Sequence, residues 1–396
     1  MQIVMSKGSV YIDSDSFFWP SDISDEYMRE QREGISFEKE SQPFEVLFEQ
    51  YYLGFRSSLI VCEENLKSKF DGLEILEDWR KSCILMARDY TIKHLSSDIS
   101  LPVDFMWITK MKIINEIKDE YPDAEKILLK INMKPTISAR IKNKNIIVFP
   151  ALLRTLLNHC NLVLVNASLE TIDTKSTSID RRLLSRFILP YLLFCHDDFS
   201  VRNLPIIGGY SKEAITTALS YTNLQVMYVF AHEYAHILLK HFDKKISSLK
   251  SQEMMENEAD EFALDVILKY IERDETYTKD DVFTAIRWLF KYQLLEESIG
   301  ALIRKNDLNY FLSNYEERRS CFQLELIKKC NITKTTMLDV VGFCSIVELQ
   351  DVLCENGTNL IDTIIQAFNK SKHKGVVEPW WEMITQKQSQ LKFLWK

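Results

Sequence analysis

Glycine and proline are scarce in this chain, 10 and 9 among 396 residues, which leaves little room for a turn-rich β architecture and points to a mainly α protein. Positive charge is not in excess. Lys and Arg number 49 against 57 Asp and Glu, a net charge of −8, so a phosphate backbone meets no general electrostatic attraction and nucleic acid is not an expected partner. Long apolar runs are missing too. The longest, such as Phe187 to Cys195 and Leu224 to Phe230, stop well short of the roughly 18 residues a membrane span needs, so no membrane association is expected. The first residues, MQIVMSKGSVYIDSDSFFWPSD, lack a basic stretch followed by an apolar core and do not read as an export signal; the expected location is the cytoplasm. The eight cysteines form no C-x-x-C pair and no compact framework, so they read as free, buried thiols in a reducing compartment. Neither an internal repeat nor a low-complexity segment is present.

What the chain does have is helical periodicity over most of its length. Apolar residues recur at helical spacing across residues 43–131, with PDAEKILLKI (122–131) expected as a short helix opened by proline. The one clear β signal lies at 135–150, where Ile137, Ala139 and Ile141 alternate with polar residues before the polar KNKN and the apolar Ile146, Ile147, Val148 and Phe149. That pattern predicts a hairpin. Helices follow at 151–165 and 181–195, then a loop, VRNLPIIGGYS (201–211). Further helices are expected at about 212–242, 252–273 and 279–304, and the tail from about 332 to 396 is again helical in pattern. The fold class expected is mainly α with a small β-sheet (α+β).

Within the helix at 212–242 lies HEYAH, residues 232–236. Residues four apart on an α-helix differ by about 40° of rotation and about 6 Å of rise. His232 and His236 therefore point the same way and their imidazoles can converge on one ion. Zinc accepts neutral imidazole nitrogen, and a catalytic site uses three protein ligands, leaving one position open. Glu233 lies beside that position, where a carboxylate can take a proton from water. With 7 histidines in 396 residues, an H-E-x-x-H is expected by chance on the order of once in a hundred such chains. The context adds to it. Val226, Met227, Val229, Phe230, Ala231, Ile237, Leu238 and Leu239 surround the motif, so its helix should be largely buried, where polar groups without partners cost several kcal/mol. His241, on the continued helix, points elsewhere and is expected at the surface or behind the ligands rather than as a ligand itself.

A third ligand is sought on the next helix, EMMENEADEFALDVI (253–267). Glu253, Glu256 and Asp260 share one face with the small Ala259 and Ala263, which permit close approach. Glu256 is the expected ligand. Asp260, one turn on, is placed to bond the second nitrogen of a ligating histidine and fix its tautomer. Glu258 lies far round the helix and is the weaker candidate.

H-E-x-x-H at 232–236 followed by E-x-x-A-D at 256–260 resembles the gluzincin zinc peptidases, in particular the heat-shock and CAAX-prenyl-protease type. It is also similar to the soluble ImmA/IrrE-type and phage-exclusion Lit-type peptidases. The resemblance covers about 135–320 and implies a zincin-like metallopeptidase core at 132–331, flanked by an N-terminal arm and helical region at 1–131 and a C-terminal helical region at 332–396. It implies one Zn²⁺ per chain on His232, His236 and Glu256, with Glu233 as general base and Asp260 behind a ligand. Its implied substrate is a protein or peptide held by an edge strand, in a bacterial stress or antiphage role; the long regions flanking the core add the expectation of a gated protease restrained by a regulatory partner. The membrane-type members have spans that this chain lacks, which favours the soluble groups. The His-Pro stretch of related peptidases has no histidine here; SNYEERR (313–319) stands nearest, making Tyr315, Arg318 and Arg319 candidate oxyanion or substrate contacts. Two other readings of the same residues stay open: a non-catalytic metal-binding regulatory or interaction protein, and a metal-dependent amidase acting on a non-peptide substrate.

Overall fold

The computed structural model describes residues 101–132, 136–150, 153–175, 188–193, 195–196, 211–244, 249–305, 308, 312 and 322–374, with short strands at 3–6, 9–12 and 35–37. The expected helices at 43–100, most of the one at 181–195, the loop at 201–210, the segment at 313–319 and the tail beyond 374 lie outside the described residues.

Strands β1 (Ile3–Ser6) and β2 (Ser9–Ile12) form a two-stranded antiparallel ribbon. A second sheet has the order β3 (Ile35–Phe37), β4 (Leu128–Asn132), β6 (Ile146–Pro150), β5 (Arg140–Asn143). The β3–β4 and β4–β6 pairs are parallel and β5–β6 antiparallel, so the hairpin folds its second strand into the sheet and leaves β5 at the edge. The rest is helical: α1 (Leu101–Ile117), α2 (Leu153–Asp173), α3 (Leu189–Leu193), α4 (Lys212–Leu238), α5 (Leu249–Arg273), α6 (Lys279–Ile303), helical residues 322–330, and α7 (Met337–Lys374). The protein is mainly α with a small sheet, and no helix among the described residues is long and apolar enough to cross a membrane.

Two local expectations are corrected. The segment 122–131 is not a helix: Pro122–Lys126 makes one 3₁₀ turn and Leu128–Asn132 is a strand inside the sheet. A run as short as ILLKI carries no decisive period, and parallel pairing of Leu128–Asn132 with Ile146–Pro150 selects the extended form. This strand also joins residues on both sides of position 131. The hairpin's first strand starts at Arg140 rather than near 137, because the Thr136 hydroxyl accepts from the Ser138 N–H at 3.2 Å, a local turn that competes with the ladder. A register shift between Ile141 and Asn143 then leads into the turn.

Helix α4 is central. Ser211 caps it, its side chain accepting from Ala214 N–H, and the helix packs against α1, α2, α5 and α6. Phe230 stacks on Phe149 of β6, ring centroids 4.1 Å apart, which fixes the sheet against the turn that precedes the motif. Asn161 of α2 donates to Thr222 and Gln225 of α4 and accepts from the Tyr292 hydroxyl of α6, so one buried amide holds three helices in register. Helix α6 opens with a reciprocal Thr278–Asp281 capping box. The long α7 adds Ile346, Leu349 and Leu353 to the same core as α4. Its close approach needs Gly342, where a Cβ would come within 2.1 Å of the fully buried Trp288 ring.

Candidate metal centre

His232 and His236 occupy the last turns of α4 on one face, as their spacing requires. Helix α5 runs back across that face. Ala259 and Ala263 of α5 are fully buried, the two helices pack closely, and Glu256 meets the two histidines. The His232 and His236 Nε2 atoms are 3.1 Å apart, and the Glu256 carboxylate oxygens lie 3.6 Å from His232 Nε2 and 3.7 Å from His236 Nε2. Among the described residues this is the one group of three such ligands whose donor atoms converge, all within 4.8 Å of one another. Tetrahedral coordination at zinc-ligand distances of about 2.0–2.1 Å needs donor-to-donor edges of about 3.3–3.4 Å. The two carboxylate separations run to different oxygens, Oε2 and Oε1, and all three distances lie near that value, so the group could hold a metal ion with small side-chain adjustments.

Asp260 is completely buried and contacts His232 Nδ1 at 2.9 Å, which leaves Nε2 of that ring facing the cluster. Its carboxylate also accepts from the Tyr228 hydroxyl at 2.7 Å. Tyr228 lies one turn before His232 on α4 and packs edge-on against Phe290 of α6. Sequence reasoning missed it, although its spacing of four from His232 places it on the ligand face.

His241 holds the other histidine. Helix α4 ends at Leu238, not near 242 as the apolar pattern predicts. Lys240 adopts a left-handed conformation (φ 55°), and His241–Asp243 form a 3₁₀ turn that brings the buried His241 back beneath the motif. His241 Nδ1 lies 2.8 Å from His236 Nδ1, and its Nε2 lies 3.0 Å from Glu258. Glu258, the weaker ligand candidate, thus faces His241 and Lys244 rather than the ligand cluster. Glu253 is exposed. The turn is tied to the sheet through Lys144 of the hairpin, which pairs with Asp243.

The charges are strongly coupled. Burial depresses the proton affinity of His232, but the carboxylates of Asp260, Glu256 and Glu233 outweigh it and push the ring up to about 10. Burial together with the neighbouring His232 charge pushes His236 down to about 4. Burial pushes Glu233 up to about 7, with the His232 charge opposing and the Glu256 charge adding. Tyr315, Arg318 and Arg319 lie outside the described residues.

Compared with known proteins, the chain matches no family model, no curated protein and no solved structure. The fold and the site by themselves define a mainly α protein in which His232 and His236 of the central helix α4 and Glu256 of α5 form a cluster able to hold a metal ion.

Proposed function

We propose that the chain is a zinc-dependent endopeptidase of gluzincin type with a zincin-like core, acting on a protein or peptide substrate in the cytoplasm. The observation that carries the reading is the convergence of His232 Nε2, His236 Nε2 and the Glu256 carboxylate, with Glu233, a partly buried glutamate that a purely structural site would not need, next in the chain to His232. His232 and His236 hold the metal through Nε2 and Glu256 through its carboxylate. Zinc in that position supplies Lewis acidity, polarising a carbonyl and lowering the pKa of water. Glu233 takes a proton onto its carboxylate and later returns it to the leaving amine. Asp260, steadied by Tyr228, keeps the His232 ring oriented.

An extended substrate would add to the edge strand β5, backbone to backbone, which tolerates many sequences. Tyr315, Arg318 and Arg319 remain the proposed oxyanion or substrate contacts. The helical regions outside 132–331 suit a regulatory partner that restrains the protease, and a stress or antiphage role follows from the likeness to the soluble groups.

The test is Glu233→Gln. The variant should bind one zinc per chain and melt like the native protein, while the cleavage products seen in cells expressing the native chain disappear. Identical proteomes, or a biological effect that survives the substitution, would refute the protease reading in favour of a non-catalytic metal-binding regulator. Glu233-dependent release of a small amine without protein cleavage would point instead to an amidase.

A further inference from the structure

We propose that His241 is a positioning residue for the second histidine ligand, forming with Glu258 an imidazole-to-carboxylate relay that ties the metal-binding face of His236 to a surface ion pair. The inference rests on the metal-site reading above and concerns how that site is held.

The two ligating histidines are supported in different ways. His232 Nδ1 contacts a carboxylate directly, and that carboxylate, Asp260, is completely buried. Among the described residues no carboxylate occupies the equivalent place for His236; the 2.8 Å contact from its Nδ1 is to another imidazole nitrogen, His241 Nδ1. Two ring nitrogens at that distance need one proton between them, one donating and one accepting. Use of His236 Nε2 as a metal ligand leaves that nitrogen without hydrogen, so in the neutral ring Nδ1 carries the proton and donates. His241 Nδ1 must then accept, which places the His241 proton on Nε2, and that atom lies 3.0 Å from a Glu258 carboxylate oxygen ready to accept it. Every link has a donor and an acceptor in only one direction. The relay ends at a charge, as supports of metal-ligating histidines commonly do.

The relay also depends on backbone. His241 reaches His236 because the helix stops at Leu238 and Lys240 turns left-handed; on a continued helix, residues five apart would not face each other. Glu258 is itself held by Lys244 at 2.6 Å, and both are well exposed, 44% and 46%. One ligand of the site is thus anchored in the core and the other through a chain that reaches solvent.

Three variants of the full chain test this, with zinc affinity read by competition against a chelator and the His236 tautomer read by long-range proton–nitrogen NMR. His241→Leu fills the space without a donor or acceptor; zinc affinity should fall roughly 10- to 100-fold, the range typical for losing a ligand's hydrogen-bond partner. His241→Asn puts a carbonyl oxygen near the Nδ1 position and should recover affinity to within about fivefold of native. Glu258→Gln, at an exposed site where folding is not at issue, should lower affinity roughly three- to tenfold. In the metal-free His241→Leu protein the His236 Nδ1–H population should drop; in His241→Asn it should persist. Native affinity in His241→Leu would overturn the proposal, and so would native affinity in Glu258→Gln. Equal losses in the Leu and Asn variants would also overturn it, because they would mean that only volume matters. If His241→Leu does not fold, Glu258→Gln decides alone. Lack of tight zinc binding by the native chain would refute the metal reading as a whole, whereas tight native binding with an unaffected His241→Leu refutes only this relay.

Discussion

Removing one oxygen atom, by Tyr228→Phe, isolates the link between the aromatic core and the candidate metal centre. The Tyr228 hydroxyl donates to Asp260 at 2.7 Å, and both residues are almost wholly inaccessible, at 2% and 0% exposure. A hydrogen bond to a charged group contributes about 1.5–3 kcal/mol. Phenylalanine keeps the ring contacts with Phe290 and Phe322, so no cavity opens and the hydroxyl accounts for the whole effect. The expected loss is about 2 kcal/mol, a factor of roughly 30 in the folded-to-unfolded ratio. Urea unfolding of the metal-free protein measures it as a lower midpoint at unchanged slope. Zinc affinity should fall about tenfold in parallel, because an Asp260 carboxylate with one constraint fewer orients His232 less firmly. A stability change below about 0.5 kcal/mol, in the range of an ordinary surface substitution, would refute the reasoning. It would mean that Tyr228 packs beside Asp260 without holding it.

Two further outcomes follow from the same geometry. Glu256→Ala should lower zinc affinity about 100-fold or more, since structural zinc sites share about 10–16 kcal/mol among four ligands, whereas Glu253→Ala, at an exposed position one turn away, should leave titration calorimetry unchanged. Glu296 is buried on α6 beside Thr136 and the His196 ring, and burial pushes its carboxyl from 4.5 up to about 7. Between those values the folded chain keeps a proton that the unfolded chain has released, so this group lowers stability as pH rises, by about 3 kcal/mol in all at 1.36 kcal/mol per pKa unit. Glu296→Gln should remove that slope, which makes the variant more stable than the native chain above about pH 7 and no more stable than it at about pH 4; parallel stability–pH curves for the two proteins would refute the assignment.

Much of the site was legible because helical geometry is local. HEYAH and ENEAD sit on long periodic segments that are helical in the structure, and the small Ala259 and Ala263 of the second helix are completely buried. Where the pattern was short, the reading failed. ILLKI is too brief to carry a period, and it became a strand only because Ile146–Pro150 was available to pair with it. The end of α4 was hidden for a related reason: Lys240 gives no glycine or asparagine signal for a left-handed residue, while Leu238 and Leu239 continue the apolar pattern.

The residue order alone therefore determined the helical class, the shared face of His232 and His236, and the choice of Glu256 and Asp260 on a second helix, all of which depend on rotation and rise per residue. The tertiary structure decided which groups stand behind those candidate ligands. Tyr228 meets Asp260 only when α4 and α5 pack together, and His241 meets His236 only because the chain leaves the helix at Leu238, about four residues before the apolar pattern ends. Such contacts depend on how separate elements approach one another, and no spacing along a single chain encodes that distance.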